Sequence, residues 1–287
     1  GSVVDDVLQK STAVTWTEGN RANGESLTAN SNTSVVLANF NRFTMPLFGG
    51  SDGVDITEKD PFNKRVLASS DDEYANYAFN TVKVAIESIS DPEVAEINLA
   101  AIPGIDNAGL TGLLVDKCEV RGDALAVIDL EGDYLYPYEA DNNGKEKRPT
   151  SVNGPSGVIE NLTLRGIDNS YGAAYFPAVF VPSEGIFMPA SVAALGALGG
   201  TEGRQGLWFA PAGFNRGGLS QNNSGIGVSK TALHLVSSDR DTLYENNINP
   251  IATFPNEGVV IFGQKTLQTT PSALDRVNVR RLLNFIK

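Results

Sequence analysis

The residues best able to do covalent chemistry in this chain are few and widely spaced. Gly49-Gly50-Ser51-Asp52-Gly53 matches G-x-S-x-G, the turn that exposes a nucleophilic serine between a strand and a helix in α/β hydrolases. The flanks do not supply that setting, because Val54 to Pro61 has no helical period and contains Asp60-Pro61. The serine would also need a base, and the single histidine, His234, lies in a stretch read as helical. These glycines are therefore read as a turn or loop, with a hydrolase using Ser51 as the distant alternative. The single cysteine, Cys118, follows Leu114 by four residues on an expected helix, which suits a buried, inert thiol. One cysteine and one histidine exclude an internal disulfide and a zinc site of the usual His/Cys type within one chain. Asp71-Asp72-Glu73 lacks the spacing of an EF-hand loop and reads as acids at a helix start. Neither G-x-x-x-x-G-K-[ST] nor a strand-to-helix G-x-G-x-x-G is present. No catalytic, cofactor-binding or metal-binding residue is assigned.

The elements around these residues follow from hydrophobic period. Residues 1–69 are rich in Asn, Thr, Ser and Gly with short β-type runs, and form the expected first unit, a β-rich, loop-rich protruding or partial domain. Ser70 and Glu73 make a capping box for a helix carrying Tyr74, Ala78, Val82, Ala85, Ile86 and Ile89 on one face. The periods then alternate: a strand at 97–102, a helix at 108–121, a strand at 124–130, a helix at 154–166 and a strand at 173–181. A helix at 189–198, a strand at 206–210, a helix at 229–246, a strand at 258–263 and a final helix complete the series. Residues 70–287 are thus expected to form an α/β domain, a mostly parallel sheet with flanking helices. Residues 141–155 read as an exposed loop.

On the final helix Val279, Leu282, Leu283 and Ile286 recur at i, i+3, i+4 and i+7 and define the expected apolar face. Arg276, Arg280 and Lys287 share one narrow sector beside it. That basic stripe is open to two readings, a contact with an acidic neighbour or a solvated face paired with Asp239, Asp241 or Asp275.

The 287 residues, 41% apolar and 20% charged, describe an ordinary globular chain with no apolar run of bilayer length. The net charge of −12 disfavours nucleic acid and anionic lipid as main partners. It is unevenly placed: residues 1–200 carry 28 acids against 13 bases, and residues 201–287 carry 6 against 9. An acidic body with a basic end suits head-to-tail contact between copies. The start at Gly1-Ser2 and the uncapped final helix give the expectation of a central piece of a longer subunit.

The carboxyl third carries an ordered set of blocks: Trp208 to Gly217 (WFAPAGFNRG), Asp239 to Tyr244 (DRDTLY), Ile248 to Ile251 (INPI), Gly258 to Thr266 (GVVIFGQKT) and Asp275 to Leu282 (DRVNVRRL). This set resembles the tail sheath proteins of contractile-tailed bacteriophages. Leu47 to Ile56 (LFGGSDGVDI) and Asn98 to Ile105 (NLAAIPGI) extend the resemblance upstream.

The resemblance implies a structural subunit, not an enzyme, without cofactor. Such subunits form six-membered rings stacked helically around a tail tube, and contract to drive the tube through the host envelope. It implies as partners further copies of itself, the tail tube protein, and baseplate and tail terminator proteins, with no membrane insertion. The location implied is the virion, with assembly in the host cytoplasm. Arg276, Arg280 and Lys287 become the candidate tube or subunit contacts. The family's terminal arms, which add strands to a neighbour's sheet, are not evident here, so this piece is expected to be monomeric. A sheath component of a bacterial contractile injection device is the closest alternative.

Overall fold

The computed structural model describes residues 77–130, 154–220 and 225–287. The expected β-rich region 1–69, the capping box at Ser70 and Glu73, and Ser51 with its glycines lie outside the described residues. So does the expected loop at 141–155 as far as residue 153; Gly154 and Pro155 already belong to a helix.

In chain order the described elements are α1 (Tyr77–Ser88), β1 (Leu99–Ala101), α2 (Ala108–Arg121), β2 (Leu125–Ile128), α3 (Gly154–Arg165), β3 (Gly172–Phe176), β4 (Val179–Val181), β5 (Ile186–Met188), α4 (Ala190–Arg204), β6 (Lys230–Thr231), α5 (Ser237–Glu245), β7 (Ile248–Phe254), β8 (Gly258–Ile261), a 3₁₀ turn (Ala273–Asp275) and α6 (Val277–Ile286). The main sheet has the order β1-β2-β3-β7-β8; its first four strands are parallel and β8 closes it antiparallel. A small antiparallel sheet, β5-β4-β6, lies apart from it in the hydrogen-bond pattern. This is the α/β class expected, a mostly parallel sheet with helices on its faces.

Parallel strands buried on both sides read as unbroken apolar runs, and β2 (Leu-Ala-Val-Ile) is fully buried. Successive side chains point to opposite faces, so the strand feeds two cores. Ala126 and Ile128 join Val82, Leu110, Leu114 and Val158 under α1, α2 and α3. Leu125 and Val127 join Ala193, Ala197, Leu198 and Val277 under α4 and α6. The helix α2 has the bounds that its sequence predicts: Asn107 Oδ1 accepts from Leu110 N at its start, and Gly122 takes the left-handed turn at its end, φ 73°.

Three local expectations are corrected. The run 173–181 is two strands in different sheets, broken at Pro177, which has no N–H to give to a ladder. Residues 206–210 are turns, not a strand; Gly206 sits at φ 122° with the Trp208 ring against it. The helix drawn over 229–246 is only α5, because Ser229 N and Ala232 N are taken by Phe180 and Ala178 carbonyls, which makes this stretch a sheet edge. His234 is therefore exposed on the connection between β6 and α5, not in a helix. The chain leaves α5 through the left-handed Asn247 (φ 62°), and Asn249 lies within β7. Its amide Nδ2 donates to Ala174 O (3.0 Å) and Lys265 O (2.8 Å), while Oδ1 accepts from Lys265 N (2.6 Å).

Candidate functional site

The three positions with possible chemistry separate in space and in state. Cys118 is buried beneath α2, and desolvation pushes its thiol up to about 12, partly offset by Arg121, so it is neither a nucleophile nor an easy ligand at neutral pH. His234 is exposed. Asp129 follows β2 at the carboxyl edge of the sheet, where α/β folds commonly place chemistry. Its carboxylate accepts from Ser191 N (3.0 Å), Ser191 Oγ (2.7 Å) and Gly104 N (2.9 Å). Burial raises its pKa above the ordinary value, the three hydrogen bonds oppose that, and Asp106 adds to it. The effect is a buckle that ties the β1 loop to the first turn of α4. Among the described residues, no group of three or more His, Cys, Asp or Glu is placed to hold a metal ion.

The informative geometry is that of α6, whose orientation inverts the sequence reading. Its buried residues are Val277, Arg280, Arg281 and Asn284, at i, i+3, i+4 and i+7. Half of the predicted apolar face is turned outward: Leu283 is 40% and Ile286 67% exposed, with Phe285 beside them at 73%, while Val279 and Leu282 are half-buried. Polar pairing makes the inversion possible. Arg280 Nε donates to Asn284 Oδ1 (2.8 Å), its guanidinium lies 4.1 Å from the Tyr171 ring centre, and Asn284 Nδ2 donates to Ala124 O (3.1 Å). Arg281 Nη2 meets Glu202 Oε2 at 2.5 Å.

The three basic residues read from the sequence do share a side of α6, and it is the side toward the main sheet and its neighbouring loops. Arg280 is buried; Arg276 pairs with Asp275 (3.2 Å) and donates to the Tyr244 hydroxyl. Lys287 is exposed and its Nζ reaches Arg121 O at 3.4 Å, above Gly122. Arg281, which the sequence reading passed over, anchors the helix; its signal was the polar trio Arg280, Arg281 and Asn284, at i+3, i+4 and i+7 from the apolar Val277. A cleft of about 790 Å³ opens beside it, lined by Glu96, Asp123, Glu202, Arg281, Asn284 and Phe285 among others. Within it Glu202 is paired with Arg281, and Asp123 is paired with Arg121 (2.8 Å) behind the lining.

The carboxyl-third loops are scaffold. Gly213 turns at φ 79°, a Cβ on Gly217 would stand 2.5 Å from Ile261 O, and Arg216 Nε donates to Ala210 O (2.8 Å). What these loops present is aromatic. Phe214, Phe254 and Phe262 stack with centroids 5.1 to 5.8 Å apart, and Phe214 and Phe262 are exposed.

Three proteins share part of this sequence. The tail sheath protein of Vibrio phage KVP40 is 45% identical over 80 residues, 28% of this chain and 11% of its own length. That of Enterobacteria phage T4 is 36% identical over 101 residues, 35% of this chain and 14% of its own. That of Salmonella phage ViI is 43% identical over 93 residues, 30% and 14%. The chain carries a segment shared with phage tail sheath proteins. The matched segment thus spans between 11% and 14% of these curated relatives. No family model matches. Among solved structures, the contracted sheath complex of PVC, an extracellular contractile injection system, is similar at a TM-score of 0.48 and 20% identity over 69% of this chain and 48% of that one. The contracted helical sheath of the anti-feeding prophage follows at 0.43 and 22% over 75% and 49%. Scores below 0.5 add nothing to the fold assignment, which rests on the sheet described above.

Proposed function

We propose that this chain is part of the structural subunit of a contractile phage tail sheath, which polymerises as stacked rings around a tail tube and contracts to drive it through a host envelope. The observation that carries this reading is 36% to 45% identity with three phage tail sheath proteins over 80 to 101 residues. The reading takes the subunit as non-enzymatic, a part of the virion assembled in the host cytoplasm, with tail tube, baseplate and terminator proteins as partners.

The geometry supports it in two ways. A sheet cored on both faces is a stiff block, suited to rearrangement by whole-body movement while contacts between blocks change. And α6 keeps its charges for its own subunit while it offers Leu283, Phe285 and Ile286 outward, as a contact helix does. Of the contact residues read from the sequence, Lys287 and the partly exposed Arg276 are the ones this arrangement leaves able to meet a neighbour, while Arg280 is buried.

Negative-stain microscopy of the full-length protein tests the proposal. Hollow tubular polymers are expected; a discrete particle that turns over a substrate would refute it.

A further inference from the structure

The last turns of α4 are weaker than their packing requires. Four of its fifteen residues are glycine, Gly196, Gly199, Gly200 and Gly203, and each interior glycine weakens a helix relative to alanine. At Gly199 and Gly203 nothing among the described residues calls for one: both are exposed on helical backbone, and an added Cβ would meet no atom within 4 Å. Alanine would fit at both positions and hold the helix more firmly. The helix then closes on a single carbonyl, Thr201 O, which accepts from Gln205 N (3.0 Å) and Gly206 N (3.3 Å).

These weak turns carry the anchor of α6. Arg281 Nη2 donates to Glu202 Oε2 (2.5 Å) and Nη1 reaches Leu198 O at 3.5 Å, so a guanidinium only 3% exposed finds both of these partners on the end of α4. The junction is also where unsatisfied groups collect. Among the described residues four buried side-chain atoms lack a hydrogen-bond partner, and three of them, Thr201 Oγ1, Arg281 Nε and Asn278 Oδ1, belong to the last turns of α4 or to α6. Buried polar groups are seldom left unpaired, and these three would gain water if the two elements parted.

We infer that the end of α4, from Gly199 to Arg204, and α6 form one opening unit: when the glycine-rich turns unwind, Arg281 loses its partners and α6 loosens from the sheet with them. A guanidinium left buried without a partner is costly, which is what makes the two events go together. Arg280 and Asn284, bonded to Ser170 and to Ala124 O away from α4, serve as the pivot. The strand ladders of the main sheet are untouched, so the unit opens locally, short of global unfolding. What it moves is the outward apolar set Leu283, Phe285 and Ile286, together with the cleft wall shared by Glu202, Arg281 and Phe285. The inference stands on this geometry alone and holds whether or not the chain assembles as a sheath.

The test is hydrogen–deuterium exchange of the full-length protein, read by mass spectrometry on peptides from α2, α4 and α6. Gly199→Ala/Gly203→Ala should slow exchange in the second half of α4 by about tenfold and in α6 by about threefold or more, with α2 unchanged. In an Arg281→Met background the same two alanines should still slow α4, while α6 no longer responds. Slowing confined to α4 overturns the inference, and so does no slowing at all. Equal slowing of α2 overturns it too, because that would report global stability instead of a local unit. An α6 that still responds without Arg281 overturns the link drawn through that side chain.

Discussion

The helices α2 and α6 are both amphipathic by sequence and both pack on the main sheet, yet they meet it in opposite ways. In α2 the apolar residues Leu110, Leu114, Val115 and Cys118 go in and Asp116 and Glu119 stay out. In α6 Arg280, Arg281 and Asn284 go in, and Leu283, Phe285 and Ile286 stay out. The difference teaches that an apolar stripe marks the side of a helix that avoids water somewhere, while the partner need not be in the same chain. A helix can be turned outward only if most of its polar side is satisfied within, and the pairs Arg280–Asn284, Arg281–Glu202 and Asn284–Ala124 do this, although Arg281 Nε is left without a hydrogen-bond partner.

Four substitutions sharpen the contrast. Leu114→Ala opens a cavity beneath α2 and should cost about 2–5 kcal/mol in urea unfolding. A loss near zero would mean that α2 is not packed as described. Arg281→Met on α6 removes a guanidinium that is nearly fully buried while Glu202, about one-third exposed, recovers water. A smaller loss of about 1–3 kcal/mol is expected, and equal or greater stability would show that the polar side is not what holds α6.

Asp129 lies between these extremes, a buried charge on a sheet edge. Because burial raises its folded pKa, the folded chain holds that proton more tightly than the unfolded chain does. Its contribution to stability is complete below the ordinary carboxylate pKa of about 4 and is lost as pH rises through the raised value. Asp129→Asn should flatten the stability profile above pH ~4, seen as a urea midpoint that changes less with pH than in the parent. The smallest effect on the chain itself is expected at Phe285→Ser, within about 0.5 kcal/mol, since the ring is already in water. Sedimentation of the full-length protein should nevertheless show loss of polymer; unchanged polymer would return the exposed face of α6 to chance.

Where local signals and tertiary packing agree, the sequence was readable. The bounds of α2 follow from Asn107, Gly122 and one apolar face, and β2 and α3 are found where their periods place them. The failures have a common cause, which is that the deciding partner is distant in sequence. The span 229–236 looked helical, but the Phe180 and Ala178 carbonyls claim it for a sheet. Residues 173–181 looked like one strand, but the chain leaves one sheet for another at Pro177. The basic stripe of α6 was legible as a stripe, and its direction was not, since Ser170, Tyr171 and Ala124 are what it meets. The aromatic surface at the β8 edge left no periodic trace, because Phe214, Phe254 and Phe262 come from three separate segments.

The Asn249 amide acts as a proofreading device for strand pairing. β3 and β7 are joined only after the long excursion through β4, α4, β6 and α5, so their pairing has a high loop-closure cost and is slow to form. In the native register one side chain satisfies two carbonyls and one N–H from Ala174 and Lys265. Any slip strands those groups together in a buried place, at about 1–3 kcal/mol for each. A wrongly zipped sheet therefore reopens more readily than the correct one.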